Sequence, residues 1–229
     1  GIIAFDTEGN AFDASNRDDA IIFNNWPTQG FFMPDAIAAF EQGGAAYLIS
    51  ANEGDARDYD GYSEEARVAD LVLDPVAYPD AAELQEEANL GRLNTTLANG
   101  DLDGDGDVDQ IYSYGARSFS IWDANGNLVY DSGSDFERRT AEPDFAPFFN
   151  SNNDDNDSFD SRSDDKGPEP EAVTTGIVDG VLYAFIGLER IGGIMVYDLS
   201  DPANPAFVTY VNNRNFDADA ESAEAGDLG

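Results

Sequence analysis

An acidic run between residues 101 and 109 has the spacing of a calcium-binding loop. Aspartate occupies every second position, and Gly106 allows the backbone to turn tightly, so that alternate carboxylates can converge on one cation. An EF-hand would place Glu at the twelfth position, where this chain has Tyr112. The spacing therefore predicts a structural calcium site in a loop between strands, and an acidic solvated turn is the alternative. The predicted ligands are Asp101, Asp103, Asp105, Asp107 and Asp109.

A second group of acids depends on an internal repeat. Residues 34–37 (PDAI) match residues 170–173 (PEAV), and the pairs Gly43-Gly44 and Asp179-Gly180 follow at the same distance. Such pairs supply the positive φ angles of hairpin turns. The repeat therefore predicts two β-hairpins, with strands at 36–42 and 45–51 and at 172–178 and 181–188.

Pairing across these hairpins places carboxylates at both open ends. In the first hairpin Asp35 is expected opposite Asn52 and therefore beside Glu53. In the second, Glu171 is expected opposite Leu188, beside Glu189. Close carboxylates repel each other unless they share a proton or a cation. The hairpin ends are therefore predicted to attract a cation.

Several of the few basic residues lie near these acids in the sequence. Carboxylate-bound Ca²⁺ together with Arg and Lys can form a phosphate site, in which the metal polarises the phosphoryl oxygen and the cations hold the charge. The alternative is that the same groups form structural ion pairs between neighbouring sheets. The candidate calcium ligands are Glu53, Asp55, Glu171 and Glu189, and the candidate phosphate ligands are Arg57, Arg117, Lys166 and Arg190.

The amino-acid composition excludes several kinds of catalytic and metal site. The 229 residues include 47 acidic and 11 basic side chains, a formal net charge of −36, and neither His nor Cys. A Ser-His-Asp or Cys-His nucleophile and a His/Cys zinc site are therefore excluded, and any metal must bind through oxygen. The charge excludes a nucleic-acid partner, since phosphates need basic side chains. It resembles the acidity of proteins from marine or saline settings.

The elements that must position these residues indicate an all-β fold. Four strands at 172–178, 181–188, 193–198 and 206–211 form a meander of the size of a β-propeller blade. The chain is predicted to form part of one propeller over residues 1–229, as four-stranded antiparallel blades in a partial ring. A ring needs roughly 4–8 blades, so the remaining blades are expected from the parent protein or another chain. The predicted parts are a blade tail at 1–15, a blade at 34–131 with an insertion at 58–109, and a blade at 168–212.

Two further segments carry their own predictions. The insertion is expected to be mainly helical over about 58–100, with Ser63 starting a helix at 64–71 and a second helix at 80–93. Residues 150–165 are rich in Asn, Asp and Ser and predict a solvated polar loop. No apolar run approaches the roughly 20 residues needed to cross a bilayer, so no membrane span is expected.

Four segments together resemble a known family. They are ANEGDAR (51–57), GARSFSIWD (115–123), RSDDKGPEPE (162–171) and GLERIGG (187–193). In this order they resemble the choice-of-anchor I family of bacterial surface and secreted proteins. The resemblance implies a β-propeller-like domain, a secreted or cell-surface location, and a function of the alkaline phosphatase-like or phytase-esterase-like type.

Two functions follow from these observations. The first is a Ca²⁺-dependent phosphomonoesterase, in which metal-activated water would attack a phosphate ester because no Cys or His can serve as nucleophile. The second is a non-catalytic, calcium-stabilised propeller of the cell surface or extracellular matrix, used for adhesion or assembly.

Overall fold

The computed structural model describes residues 1–226, so the last three residues of the predicted 1–229 domain lie outside the described part. The fold is mostly β-structure in several antiparallel sheets. In chain order the elements are β1 (Ile2–Ala4), β2 (Thr28–Phe31), β3 (Ala36–Gln42), β4 (Ala45–Asn52), β5 (Asp58–Tyr59), β6 (Tyr62–Ser63), β7 (Glu65–Arg67), α1 (Ala81–Leu84), β8 (Asn94–Thr96), β9 (Ile111–Ser113), β10 (Ser118–Asp123), β11 (Leu128–Asp131), α2 (Asp135–Thr140), β12 (Pro170–Val178), β13 (Val181–Leu188), β14 (Ile194–Asp198) and β15 (Ala206–Val211).

Both predicted hairpins are confirmed. In the first, Ala36 pairs with Ala51 and Gln42 with Ala45, which is the register the repeat predicts. The turn at Gly43-Gly44 takes φ angles of 61° and 80°, a left-handed region that favours glycine. The hairpin extends by β10 and β11 into a four-stranded sheet in the order β11-β10-β4-β3.

The second four-stranded sheet is the predicted meander, with β12, β13, β14 and β15 paired in sequence order. Strand β12 contacts β3 and β4, so the two sheets pack against each other. Their shared core holds the rings of Phe119, Phe136 and Tyr197, with centroids 4.8 to 6.1 Å apart. This packing brings the open ends of the two hairpins together. Within residues 1–226 the sheets do not close into a ring, and the assignment of blades stays a prediction.

Residues 1–15 contribute to a third sheet. Strand β1 pairs antiparallel with β2, which pairs parallel with β9. A second core, which includes Phe5, Phe12, Trp26 and Leu90, packs this sheet against the insertion. The interpretation of residues 1–15 as the tail of a preceding blade stays a prediction.

The prediction of a mainly helical insertion is wrong. The segment predicted as a helix at 64–71 contains β7, which pairs with β8. The second predicted helix, at 80–93, is only the single turn α1. There the chain folds back at Gly91, where an added Cβ would lie 2.3 Å from the carbonyl oxygen of Gln85. Tertiary pairing therefore overrides the local helical preference.

The solvated loop at 150–165 is also partly wrong. The segment has no regular strand or helix, but Asn150, Ser151, Asp160 and Ser163 are buried. Polar residues become buried here because they hydrogen-bond to one another and to Glu137 of α2.

Among residues 1–226, no helix has the length and the apolar character required to cross a bilayer.

Candidate functional site

Six charged side chains meet where the open ends of the two hairpins pack together. Glu53 follows the last residue of β4, Glu169 precedes the first residue of β12, and Glu189 follows the last residue of β13. Each acid is therefore held at a fixed strand end. We call this group the charge cluster, and its members are Glu53, Glu169, Glu189, Arg162, Lys166 and Arg190.

Glu169 is the centre of the charge cluster and is fully buried. Its Oε1 accepts a hydrogen bond of 2.8 Å from Nε of Arg162. Its Oε2 lies 2.9 Å from Nζ of Lys166 and 3.2 Å from Nε of Arg190. One carboxylate thus contacts three cations.

The outer acids complete the cluster. Lys166 donates a hydrogen bond of 2.5 Å to Oε1 of Glu53 and one of 2.9 Å to the carbonyl oxygen of Gly54. Oε2 of Glu189 lies 3.2 Å from Nε of Arg190. Asp165, outside this group, also pairs with Arg162 at 2.7 Å, so the network as a whole contains four carboxylates and three cations.

Burial and charge act in opposite directions on these groups. Burial alone would raise the pKa of Glu169, but Arg162, Lys166 and Arg190 outweigh this and lower the pKa below its usual value. For Lys166, burial alone would lower the pKa, but attraction to Glu169 and Glu53 raises it. Glu169 is therefore held ionised and Lys166 protonated. By contrast, burial raises the pKa of Glu53 and of Glu189, against the lowering effect of their cations.

The same three acids could hold a metal ion. One carboxylate oxygen from each of Glu53, Glu169 and Glu189 lies within 4.8 Å of the others. A cavity of about 380 Å³ borders this group and is lined by Glu171 and Glu189 together with apolar residues of β13 and β14. A cation at this place would compete with Lys166 and Arg190 for the same oxygens.

Arg117, a predicted phosphate ligand, lies outside the charge cluster and is buried. Its Nη1 donates a hydrogen bond of 2.8 Å to Oε1 of Glu137 and one of 3.1 Å to the carbonyl oxygen of Asp13. Its Nη2 donates to the carbonyl oxygens of Ser163 and Asp165, at 2.7 and 2.8 Å. The guanidinium group is therefore engaged by protein on both sides.

Three other predicted residues are also separate from the charge cluster. Arg57 pairs with Glu64 at 2.6 Å, near the start of the insertion. Asp55 is exposed and accepts the backbone N–H of Ala56. Glu171 is not opposite Leu188 as predicted, because the register shifts and Pro170 takes that place. Glu171 is thus the extra residue of a β-bulge at a proline, which cannot donate to the ladder.

The acidic loop at 101–109 has the compact turn that its spacing predicts. Asp101 accepts the backbone N–H groups of Gly104 and Gly106, at 2.6 and 3.1 Å. Asp109 accepts the N–H of Leu102 at 2.7 Å. Two groups of carboxylates could hold an ion there, one formed by Asp101, Asp103 and Asp109 and the other by Asp74, Asp107 and Asp109.

Comparison with known proteins tests the family resemblance. The sequence profile of the choice-of-anchor I domain matches residues 1–202, which is most of the chain. The chain belongs to the choice-of-anchor I family. This match confirms the family that the four sequence segments indicated.

Two curated proteins are similar to this choice-of-anchor I chain. Gigasin-3a of Magallana gigas is 37% identical over 122 residues, which cover 51% of this chain and 42% of that protein. The mesenchyme-specific cell surface glycoprotein of Strongylocentrotus purpuratus is 25% identical over 252 residues, covering 92% of this chain and 32% of that protein. The chain therefore spans less than half the length of either relative. No solved structure matches it.

Three site residues of this choice-of-anchor I chain were not assigned a role from sequence. Glu169 and Arg162 belong to the RSDDKGPEPE segment, which is one of the four that resemble the family. Hairpin pairing does not predict where either side chain lies. Glu169 has a φ of 52°. A positive φ is uncommon for residues other than glycine, so the sequence does not reveal it. Asp74 joins the acidic loop because the chain pairs at Leu73 and Val108, a contact between distant residues.

Proposed function

We propose that this chain is a non-catalytic module of a protein exposed at the cell surface or in the extracellular matrix, with two β-propeller blades stabilised by ion pairs and calcium. Family membership and the name of the Strongylocentrotus purpuratus relative support the extracellular location. The two packed four-stranded sheets support the propeller. The remaining blades would come from the rest of a longer protein or from another chain, and the module would serve adhesion or assembly.

The observation that carries this proposal is how the four predicted phosphate-binding cations are used. Lys166 and Arg190 contact the carboxylates of the charge cluster. Arg57 pairs with Glu64, and Arg117 pairs with Glu137. The cations are thus divided among three separate ion-pair networks. This division supports the structural alternative, in which the ion pairs hold sheets and loops together.

A phosphatase assay tests the proposal. We expect no calcium-dependent release of phosphate from a chromogenic phosphomonoester, either with this chain alone or with an assembly that supplies the remaining blades. Activity that a chelator removes, calcium restores and Glu189→Gln abolishes would contradict the proposal, provided that circular dichroism shows the variant to be folded.

A calcium-dependent phosphoesterase is the second candidate function. The convergence of Glu53, Glu169 and Glu189 beside a cavity favours it. In that case calcium would displace Lys166 from the carboxylates, and the freed ammonium group and Arg190 would bind phosphate. The same assay decides between the two functions.

If the acidic loop binds calcium, removing one of its carboxylates should weaken the binding. Asp103→Asn removes one charged ligand and is expected to weaken calcium binding about tenfold, which corresponds to roughly 1.4 kcal/mol. Titration calorimetry would measure the change. Asp60→Asn, in the exposed turn between β5 and β6, removes the same charge elsewhere and should leave the affinity unchanged. Equal weakening by both variants would indicate only a general charge effect.

Calcium binding by this loop should also depend on pH. Partial burial, with repulsion from Asp105 and Asp74, raises the pKa of Asp107 to about 6. As the pH falls through 6, the carboxyl group takes up a proton that competes with the metal. We therefore expect weaker binding at pH 5 than at pH 7.5, measured by calorimetry in matched buffers. Affinity that is constant across this range would argue against Asp107 as a ligand.

A further inference from the structure

A second group of buried oxygens surrounds Arg117, apart from the charge cluster. It combines a residue after β1, a residue of α2 and the polar segment at 150–163. Each member is at most 3% exposed. We call this group the buried oxygen cluster, and its members are Asp13, Glu137, Asn150, Ser151 and Asp160.

A continuous set of hydrogen bonds connects four of these residues. Arg117 donates to Oε1 of Glu137 at 2.8 Å and to the carbonyl oxygen of Asp13 at 3.1 Å. Nδ2 of Asn150 donates 2.8 Å to the same Oε1 of Glu137. Nδ2 also donates 2.8 Å to Oγ of Ser163, which in turn donates 2.5 Å to Oδ1 of Asp160. These four residues therefore belong to one hydrogen-bonded network.

The other oxygens of these side chains have no hydrogen-bond partner among the described residues. They are Oε2 of Glu137, Oδ1 of Asn150, Oγ of Ser151 and Oδ2 of Asp160, all buried. Leaving a buried polar atom unpaired costs about 1–3 kcal/mol, and such atoms are few in native proteins. Four such oxygens on neighbouring buried residues are available to a ligand that carries positive charge. All four are oxygens, which is the atom type that a hard cation requires.

The charges of the cluster also call for a cation. Three ionisable acids, Asp13, Glu137 and Asp160, lie near one cation, Arg117. Burial raises the pKa of Asp13 to about 7 and that of Asp160 to about 8, and repulsion from Glu137 adds to both effects. Burial therefore disfavours the ionised form of these carboxylates, and a bound divalent cation would favour it.

We propose that the buried oxygen cluster binds a calcium ion through Glu137, Asn150 and Asp160, with Ser151 supplying a further oxygen. Asp13 would add only nearby charge, because both of its carboxylate oxygens accept backbone N–H groups, from Ser15 and Ile22. Calcium accepts six to eight oxygen ligands in flexible geometry, whereas Mg²⁺ keeps several waters, which a fully buried set of side chains does not favour. The ion would fasten the polar segment at 150–163 to α2 and to the residues after β1. This site shares no ligand with the loop at 101–109.

A variant without the acidic loop separates the two calcium sites. Asp101→Asn, Asp103→Asn, Asp107→Asn and Asp109→Asn together disrupt both carboxylate groups of the loop, so that calcium retained after gel filtration belongs elsewhere. We expect elemental analysis to find a stoichiometric amount of calcium in this variant, and a chelator to lower its melting temperature. Loss of all calcium, or the same melting temperature with and without the chelator, would overturn the proposal and leave the loop site standing.

Substitutions in the cluster complete the test in the same loop-deficient background. Asp160→Asn should lower the calcium content, whereas Asn150→Asp adds a charged ligand and should raise the calcium affinity while destabilising the calcium-free form. A purely hydrogen-bonded cluster would lose stability in both variants whether or not calcium is present. That result would overturn the proposal. So would stability that falls equally with and without calcium as the pH rises from 6 to 8, since protons would then neutralise the acids.

Discussion

Replacing Glu169 by glutamine is expected to destabilise the folded chain by about 3–5 kcal/mol, because it removes one partner from a buried ion-pair network. The substitution conserves the size of the side chain, so packing around it stays nearly the same. Lys166, Arg162 and Arg190 would lose the one carboxylate that contacts all three. Their mutual repulsion would then be opposed only by acids at the edge of the cluster.

Urea denaturation followed by fluorescence measures the free energy of unfolding. Glu171→Gln is the matched control, since Glu171 lies two residues away in the bulge and is exposed. The control should change stability by less than about 0.5 kcal/mol. The loss for Glu169→Gln should be the same with and without calcium if Lys166 and the arginines neutralise the acids. A loss that appears only in calcium would instead favour a metal held by the cluster.

The hairpins could be predicted from sequence because each turn is specified by two adjacent residues. The turn pairs at Gly43-Gly44 and Asp179-Gly180 fix the register, and the repeat supports each hairpin with the other. The register then predicts that Glu53 and Glu189 lie at equivalent strand ends, which the structure confirms. The bulge at Pro170 changes only the last pair, but it removes Glu171 from the cluster.

Several partners of Arg117 and Lys166 could not be predicted, because they lie far away in the sequence. Arg117 contacts a residue 20 positions later and a carbonyl group 104 positions earlier. In the charge cluster, Lys166 contacts Glu53, which lies 113 positions earlier. A sequence shows which cations are present near an acid in the chain, but only the packing of the sheets determines which acid each one meets.

The burial of the polar segment at 150–165 could not be predicted for a different reason. Its composition is typical of solvated loops, since Asn, Asp and Ser rarely become buried without partners. Here the partners exist, because α2 presents Glu137 to the segment and Ser163 connects Asn150 to Asp160. Burial of a polar segment thus depends on a hydrogen-bond network that composition does not contain.

Arg117→Ala should be about as damaging as Glu169→Gln, with an expected loss of about 3–5 kcal/mol in calcium-free buffer. The guanidinium group makes hydrogen bonds to four separate groups, and Glu137 would be left fully buried without its cation. Arg117→Lys should recover only part of the loss, since one ammonium group cannot reproduce a planar fork that donates in two directions.

Arg57→Ala is the matched control, because Arg57 also pairs with a glutamate but its side chain is 56% exposed. Glu64 is only 5% exposed, but it keeps hydrogen bonds from the backbone N–H of Arg57 and from Oγ1 of Thr96, and water can reach the place of the Arg57 side chain. This variant should therefore lose clearly less stability than Arg117→Ala. The comparison separates two roles for Arg117. If Arg117 bound phosphate, its removal would leave stability intact and abolish activity. If Arg117 holds the first residues, α2 and the 163–165 segment together, as its hydrogen bonds indicate, its removal should shift the unfolding midpoint before any function is measured.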